Sequence, residues 1–213
     1  MERLIQERLV VGPLQCNCVI LGCPATREAV VIDPGDEGKK IVERLKRANL
    51  TVKYLLHTHA HFDHIGGTKE VKADTNGTVC LHKADDFIYK MLPIQGAMFG
   101  MRRFGMAPAV EKFVEDEEIL AFGEHKIQVI HTPGHSPGGV CYKLLTDDEA
   151  VYTGDTLFNM SIGRTDLWGG DSDLLLKSIR ERLFVLEDEI TIHPGHGPSS
   201  QIGIEKHENP FLI

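Results

Sequence analysis

The sequence predicts an α/β chain in which two β-sheets pack face to face, with helices on the outside. Three observations predict it. Short apolar runs recur with turn signals between them, as strands do. Two longer segments instead carry their apolar residues at helical spacing. Strands followed by a helix occur in residues 9–56 and again in 127–192, so the two halves look weakly alike. Two such halves bury their apolar faces by packing sheet against sheet.

In chain order, Leu9 to Val11, Cys18 to Leu21 and Ala29 to Ile32 read as strands. Asp36 to Asn49 follows, with Ile41, Val42 and Leu45 on one helical face. Tyr54 to Leu56 and Val79 to Leu81 are further strands. The second half offers strands at Ile127 to Ile130, Val140 to Tyr142, Ala150 to Tyr152 and Ile190 to Ile192. Between the last two, Leu174 to Leu186 carries Leu175, Ile179, Leu183 and Leu186 and reads as one amphipathic helix, capped by Asp171 or Ser172. No low-complexity linker interrupts the chain, so residues 1–213 are expected to form a single domain. Met91 to Met106 stands apart, with four methionines, two phenylalanines, three glycines and Arg102-Arg103. It reads either as a core helix broken by glycine or as an adaptable apolar loop over a site.

Composition narrows the function classes. At 213 residues, with 42% hydrophobic and 25% charged, the chain can bury a core without staples. A net charge of -8 argues against a nucleic-acid binder with a broad basic face. The five cysteines are odd in number and form no CxxC pair, so reduced thiols are expected. Cys16 and Cys18 would share one face of a strand as buried core thiols. The N-terminus lacks a secretory h-region, and no apolar run approaches the ~20 residues of a membrane span. A cytoplasmic protein is expected, monomeric or homodimeric, with a small-molecule substrate and neither nucleic acid nor membrane as partner.

The chemistry is concentrated in His57-Thr58-His59-Ala60-His61-Phe62-Asp63-His64, directly after a strand. His59, His61 and Asp63 are two apart, so an extended chain places them on one face. His64 would then point away, so the chain must turn there, into a helix start eased by Gly66 and Gly67. Imidazole and carboxylate suit zinc, iron or manganese. Three histidines and an aspartate exceed what one open tetrahedral site takes from one segment, which suggests two adjacent ions. Three more segments, around His135, Asp155 and His196, each place a metal-capable residue in a Gly-containing loop just past a strand end. Such loops on a rigid sheet are where catalytic groups gather. A water shared by two cations has its pKa lowered toward neutrality, and a cation can stabilise the oxyanion formed when hydroxide attacks a carbonyl.

The strings THAHFDH, TPGHSPG, GDTLF and PGHG, in this order, resemble the metal motifs of the metallo-β-lactamase superfamily. Within it the chain is similar to the short, single-domain glyoxalase II-like hydrolases, a likeness extended by VIDPG, SIGRTD and the ending ENPFL. The resemblance implies a four-layer αββα sandwich. It implies one metal on His59, His61 and His135, a second on Asp63, His64 and His196, and Asp155 bridging both. Zinc is the first expectation, with iron or manganese as alternatives. Asp63 would orient the attacking water, and Asp155 would set the spacing of the pair. The implied reaction is hydrolysis of a small thioester such as S-lactoylglutathione. Two alternatives share the fold: hydrolysis of a lactone or other ester, and a one-iron persulfide dioxygenase on His59, His135 and Asp155. The longer glyoxalase II enzymes carry a C-terminal helical domain that has no counterpart among these 213 residues.

Other residues are weighed around that set. Asp33, in VIDPG, either accepts a ligand's ring N–H or fixes the Pro34-Gly35 turn, and the family resemblance favours the first. His57 either orients a metal-ligating histidine or is a core histidine. His131 and His193 read as structural, and His82, His125 and His207 as surface or capping residues. Arg164 pairs with Asp166 or holds a substrate carboxylate, with Arg102 and Arg103 as weaker candidates. Trp168, beside Gly169 and Gly170, reads as loop packing.

Overall fold

The structure is a computed structural model describing residues 4–101, 104–146 and 149–213. Strands β1 (Ile5–Val11) and β2 (Cys16–Gly22) open it as an antiparallel pair. Every residue of β2 is buried, which requires cover on both faces. The two-residue period of the strand divides that cover. Cys16, Cys18 and Ile20 join a cluster with Ile41, Val42 and Leu45, whereas Val19 and Leu21 join one with Phe122, Ile127, Val129 and Tyr142.

β3 (Glu28–Ile32) continues the sheet, and α1 (Gly38–Arg47) crosses to the parallel strand β4 (Thr51–Leu56). After α2 (Phe62–Ile65) and α3 (Thr68–Thr75) come β5 (Thr78–His82), α4 (Asp86–Lys90), α5 (Leu92–Met98) and β6 (Lys112–Val114). The first sheet has the order β1-β2-β3-β4-β5-β6. The second half contributes β7 (Ile119–Phe122), β8 (His125–His131), β9 (Val140–Leu144) and β10 (Ala150–Gly154). A small hairpin follows, β11 (Leu157–Phe158) with β12 (Ser161–Ile162). Then α6 (Ser172–Ser178) returns the chain to β13 (Thr191–Pro194), parallel to β10, before β14 (Ser200–Gln201) and α7 (Ile202–Glu208). The second sheet has the order β14-β13-β10-β9-β8-β7.

Three apolar clusters fill the interfaces between four layers. The first lies between α1, α3 and the first sheet, and the second between the sheets. The third lies between the second sheet and Leu175, Ile179, Leu183 and Ile202. The αββα arrangement expected from the sequence is thus the observed one. Asp171 caps α6, accepting the Leu174 N–H at 2.9 Å.

Two expectations are corrected. The helix read over Leu174 to Leu186 is regular only to Ser178 and then widens into a π turn over Ile179–Leu183. Its apolar residues Leu175, Ile179 and Leu183 recur every four positions, a spacing that drifts around a 3.6-residue helix and suits a wider turn. His125 is buried, not a surface residue, and lies beside Phe122. His57 resolves as a core histidine, with Nδ1 at 2.9 Å from the Cys80 carbonyl and Nε2 at 2.8 Å from Thr68 Oγ1. All five cysteines are free and buried. Among the described residues, no helix is long and apolar enough to cross a membrane.

His82 and His131 stack with ring centroids 4.1 Å apart, tying the ends of β5 and β8 together. Burial, reinforced by His131, holds the His82 imidazole down at about 4. In the unfolded chain it takes a proton near 6.5. The unfolded state therefore binds that proton first, and stability is expected to fall as pH drops from about 6.5 toward 4. Urea unfolding at pH 7 and pH 5 should show a larger acid loss for the wild type than for His82→Asn. Equal losses would remove His82 as the cause.

Candidate metal centre

The residues singled out in the sequence converge at the C-terminal ends of strands from both sheets. β4 ends at Leu56, and the extended chain beyond it carries His59 and His61 before turning into α2. That turn is the one the spacing demanded, and it brings Asp63 and His64 back toward the same point. His135 follows β8, Asp155 follows β10 and His196 follows β13. The approach is close: a Cβ on Gly195 would lie 2.4 Å from Asp155 Oδ1 and 2.6 Å from His64 Cε1. Glycine is therefore the residue that admits the His196 loop.

Two groups of side chains form, with one carboxylate between them. In the first, His61 Nδ1 is 2.9 Å from His135 Nε2, which is 3.2 Å from His59 Nε2. In the second, His196 Nε2 is 3.2 Å from both His64 Nε2 and Asp63 Oδ2. Asp155 reaches both, with Oδ2 at 3.6 Å from His135 Nε2 and Oδ1 at 3.3 Å from His64 Nε2. A tetrahedral ion with ligands at roughly 2.0–2.1 Å sets neighbouring nitrogens about 3.3 Å apart. The separations in each group therefore suit one ion.

The surrounding hydrogen bonds orient these rings. His135 Nδ1 donates to the Arg164 carbonyl at 2.7 Å, and His64 Nδ1 donates to Asp33 Oδ2 at 2.9 Å. His59 Nδ1 donates to Thr58 Oγ1 at 3.1 Å, and the Thr58 hydroxyl donates on to Asp33 Oδ2 at 2.6 Å. Each neutral ring is left with a bare Nε2 lone pair directed at the cluster. Lone pairs facing one another at about 3 Å repel unless a cation lies between them. Asp155 Oδ1 and His61 Nε2 are buried without a hydrogen-bond partner among the described residues. Buried polar atoms are nearly always bonded, and an orphaned carboxylate oxygen among imidazoles suits a ligand of a cation.

Electrostatics divides the cluster. Burial, aided by the neighbouring rings, pushes His61 down to about 3 and His59 well below its ordinary value. Burial also opposes charge on His64, but Cys16, Asp155, Asp33 and Asp63 outweigh it and raise that pKa. His196 is raised by Asp63 and Asp155 against its own burial. Around Asp63, His64 and His196 the protein field therefore favours positive charge.

Residues the sequence did not mark hold the loops in place. Asn17 Nδ2 donates to the Pro194 and Gly197 carbonyls at 2.9 and 3.0 Å, clasping the His196 loop to β2. Gln95, buried on α5, accepts the Phe62 N–H at 3.0 Å and donates to the Ala60 carbonyl at 3.0 Å. The methionine-rich segment bears on both the core and the site. It carries a helix with Leu92, Gln95 and Gly96 buried, and Phe99 lines the pocket above the cluster. That pocket, about 390 Å³, is bounded by Leu14, Phe62, Phe99, Leu167 and Trp168, with Gln95 and Arg164 also lining it. Trp168 lies with its ring 6.3 Å from that of His61, so it is a wall of the site as well as loop packing. The Arg164 guanidinium is paired with Asp166 at 2.6 and 2.8 Å, while its carbonyl anchors His135. Arg102 and Arg103 lie outside the described residues.

Comparison with known proteins follows the same lines. The family model described as Metallo-beta-lactamase superfamily matches residues 11–196. Hydroxyacylglutathione hydrolase GloC of Haemophilus influenzae is 35% identical, over 97% of this chain and 97% of its own. The crystal structure of BLEG-1 B3 metallo-beta-lactamase superposes with a TM-score of 0.90 at 38% identity, covering 98% of this chain and 99% of that one. TTHA1623, solved in a di-iron-bound form, gives 0.88 at 35% identity, covering 97% and 100%.

Proposed function

The chain belongs to the metallo-beta-lactamase superfamily, and on that premise we propose that it is a two-metal hydrolase of a small thioester of the hydroxyacylglutathione type. The observation that carries this reading is Asp155, a buried carboxylate with an orphaned oxygen lying between two groups of three potential ligands. In this reading His59, His61 and His135 hold one divalent ion, Asp63, His64 and His196 the other, and Asp155 both. Zinc is the first expectation, and the same donors accept iron or manganese.

Two bound ions would supply acidity to a water and positive charge for the oxyanion. The protein supplies the rest. Asp63 faces the pocket, where its carboxylate aligns the attacking water, while Oδ2 stays beside His196. Asp155 balances the charge gathered between the groups. Leu14, Phe99, Leu167 and Trp168 exclude water and hold the apolar part of the substrate. Arg164 can exchange Asp166 for a substrate carboxylate cheaply, because that pair is exposed and screened by solvent. The kinship with GloC supports the thioester reading, and the kinship with BLEG-1 makes a β-lactam the second carbonyl substrate to test.

The test is hydrolysis of S-D-lactoylglutathione by purified protein carrying its own metals. The expected result is a rate far above background that a chelator abolishes and added metal restores. Protein with both ions bound but no hydrolysis would overturn the thioester and bring lactones and β-lactams forward. Oxygen-dependent persulfide consumption by a one-iron form would move the chain to a different reaction class.

A further inference from the structure

Asp85 is a buried carboxylate between β5 and α4, outside every motif that drew attention in the sequence. It joins two segments of chain. Oδ2 accepts the Ala60 N–H at 3.0 Å and the Ser136 hydroxyl at 2.8 Å, and Oδ1 accepts the Gly138 N–H at 2.6 Å. Ala60 separates His59 from His61, and Ser136 follows His135. One side chain therefore spans the two loops that supply the first group. The other side of Ala60 is held by Gln95, which also donates to the Ile88 carbonyl at 2.7 Å. There is no slack: a Cβ on Gly138 would come within 2.6 Å of the Asp85 backbone nitrogen. A carboxylate is costly to bury unless its oxygens are bonded, and three convergent donors meet that need.

We propose that Asp85 is a positioning residue that sets the distance of His59 and His61 from His135, and through it the affinity of that group for its cation. The proposal rests on the reading of those three histidines as one ion's ligands. Asp85→Asn keeps the shape but turns an NH2 toward at least one of the three donors. The probe is Co²⁺ titrated into the metal-free full chain, followed by visible absorption and bound metal per chain. Wild type is expected to take up two ions. The variant should hold one with unchanged affinity and bind the other about 10–100-fold more weakly, the range for losing a ligand's supporting partner, with an altered visible spectrum. Ser136→Ala, which deletes one donor, should shift the same ion less. Asp85→Asn binding both ions as wild type does, or weakening both equally, would overturn the proposal. Wild type taking up fewer than two ions would overturn the two-ion reading beneath it.

Discussion

Asp155→Ala is expected to lower kcat/KM by about 10³-fold or more while the fold survives. Removing the partners that merely support metal ligands costs about 10–100-fold, so losing a carboxylate shared by both groups should cost more. Its electrostatic position explains the size. Burial tends to protonate Asp155, but His64, followed by His135 and His196, outweighs it and holds the carboxyl well below its usual range. It is thus a fixed negative charge among the imidazoles of His64, His135 and His196. Some stability of the metal-free form should be lost, because the attraction to His64 that holds the carboxyl down goes with the side chain, but the loss of turnover should be far larger. Three readings on the variant decide the matter: kcat/KM at saturating metal, metal per chain, and the urea midpoint of the metal-free form. Unchanged turnover with full metal content would sink the assignment. Collapse of the metal-free protein would make Asp155 a structural residue.

What the sequence disclosed and what it hid divide along a physical line. His59, His61, Asp63 and His64 were legible because they are close in the chain and of one chemical kind. His135, Asp155 and His196 were legible because each sits in a Gly-containing loop after an apolar strand. Asp33 was legible only through the family resemblance of VIDPG, since beside Pro34 and Gly35 it reads as readily as a turn-former, and the structure puts its carboxylate on His64. Asn17, Asp85 and Gln95 were not found. Each works by bonding backbone groups of a distant loop, and no local pattern marks such a residue. Asp85, inside Lys83-Ala84-Asp85-Asp86, reads as part of a solvated charge run. Arg164 was marked for its guanidinium, whereas the atom that orients His135 is its carbonyl, which every residue has. The strands β6 and β7 escaped because they are short edges, and β7 alternates exposed and buried residues over only four positions.

Asp33→Asn should remove most metal binding, and activity with it, although it changes one atom. Asp33 is buried and sits in the left-handed region at φ 50, which asparagine tolerates as well as aspartate. Backbone strain is therefore not introduced, as it would be by alanine. The hydrogen-bond pattern does change. Oδ1 can still accept the Thr58 N–H, now at 2.7 Å. The NH2 that replaces Oδ2 is a donor facing two donors, the Thr58 hydroxyl and His64 Nδ1. His64 can relieve the clash by moving its proton to Nε2, which removes the lone pair aimed at the cluster. The Thr58 hydroxyl can relieve it by accepting from the amide and donating to His59 Nδ1, which puts the His59 proton on Nε2 as well. A single substitution would so turn one histidine in each group to the wrong tautomer. Losses of about 10–100-fold per disturbed ligand are the expected scale, and they should fall on both ions, unlike those of Asp85→Asn. Cobalt titration of the two variants side by side separates the effects. Equal, near-wild-type affinity for both ions in Asp33→Asn would show that the ring tautomers are set by something other than this carboxylate.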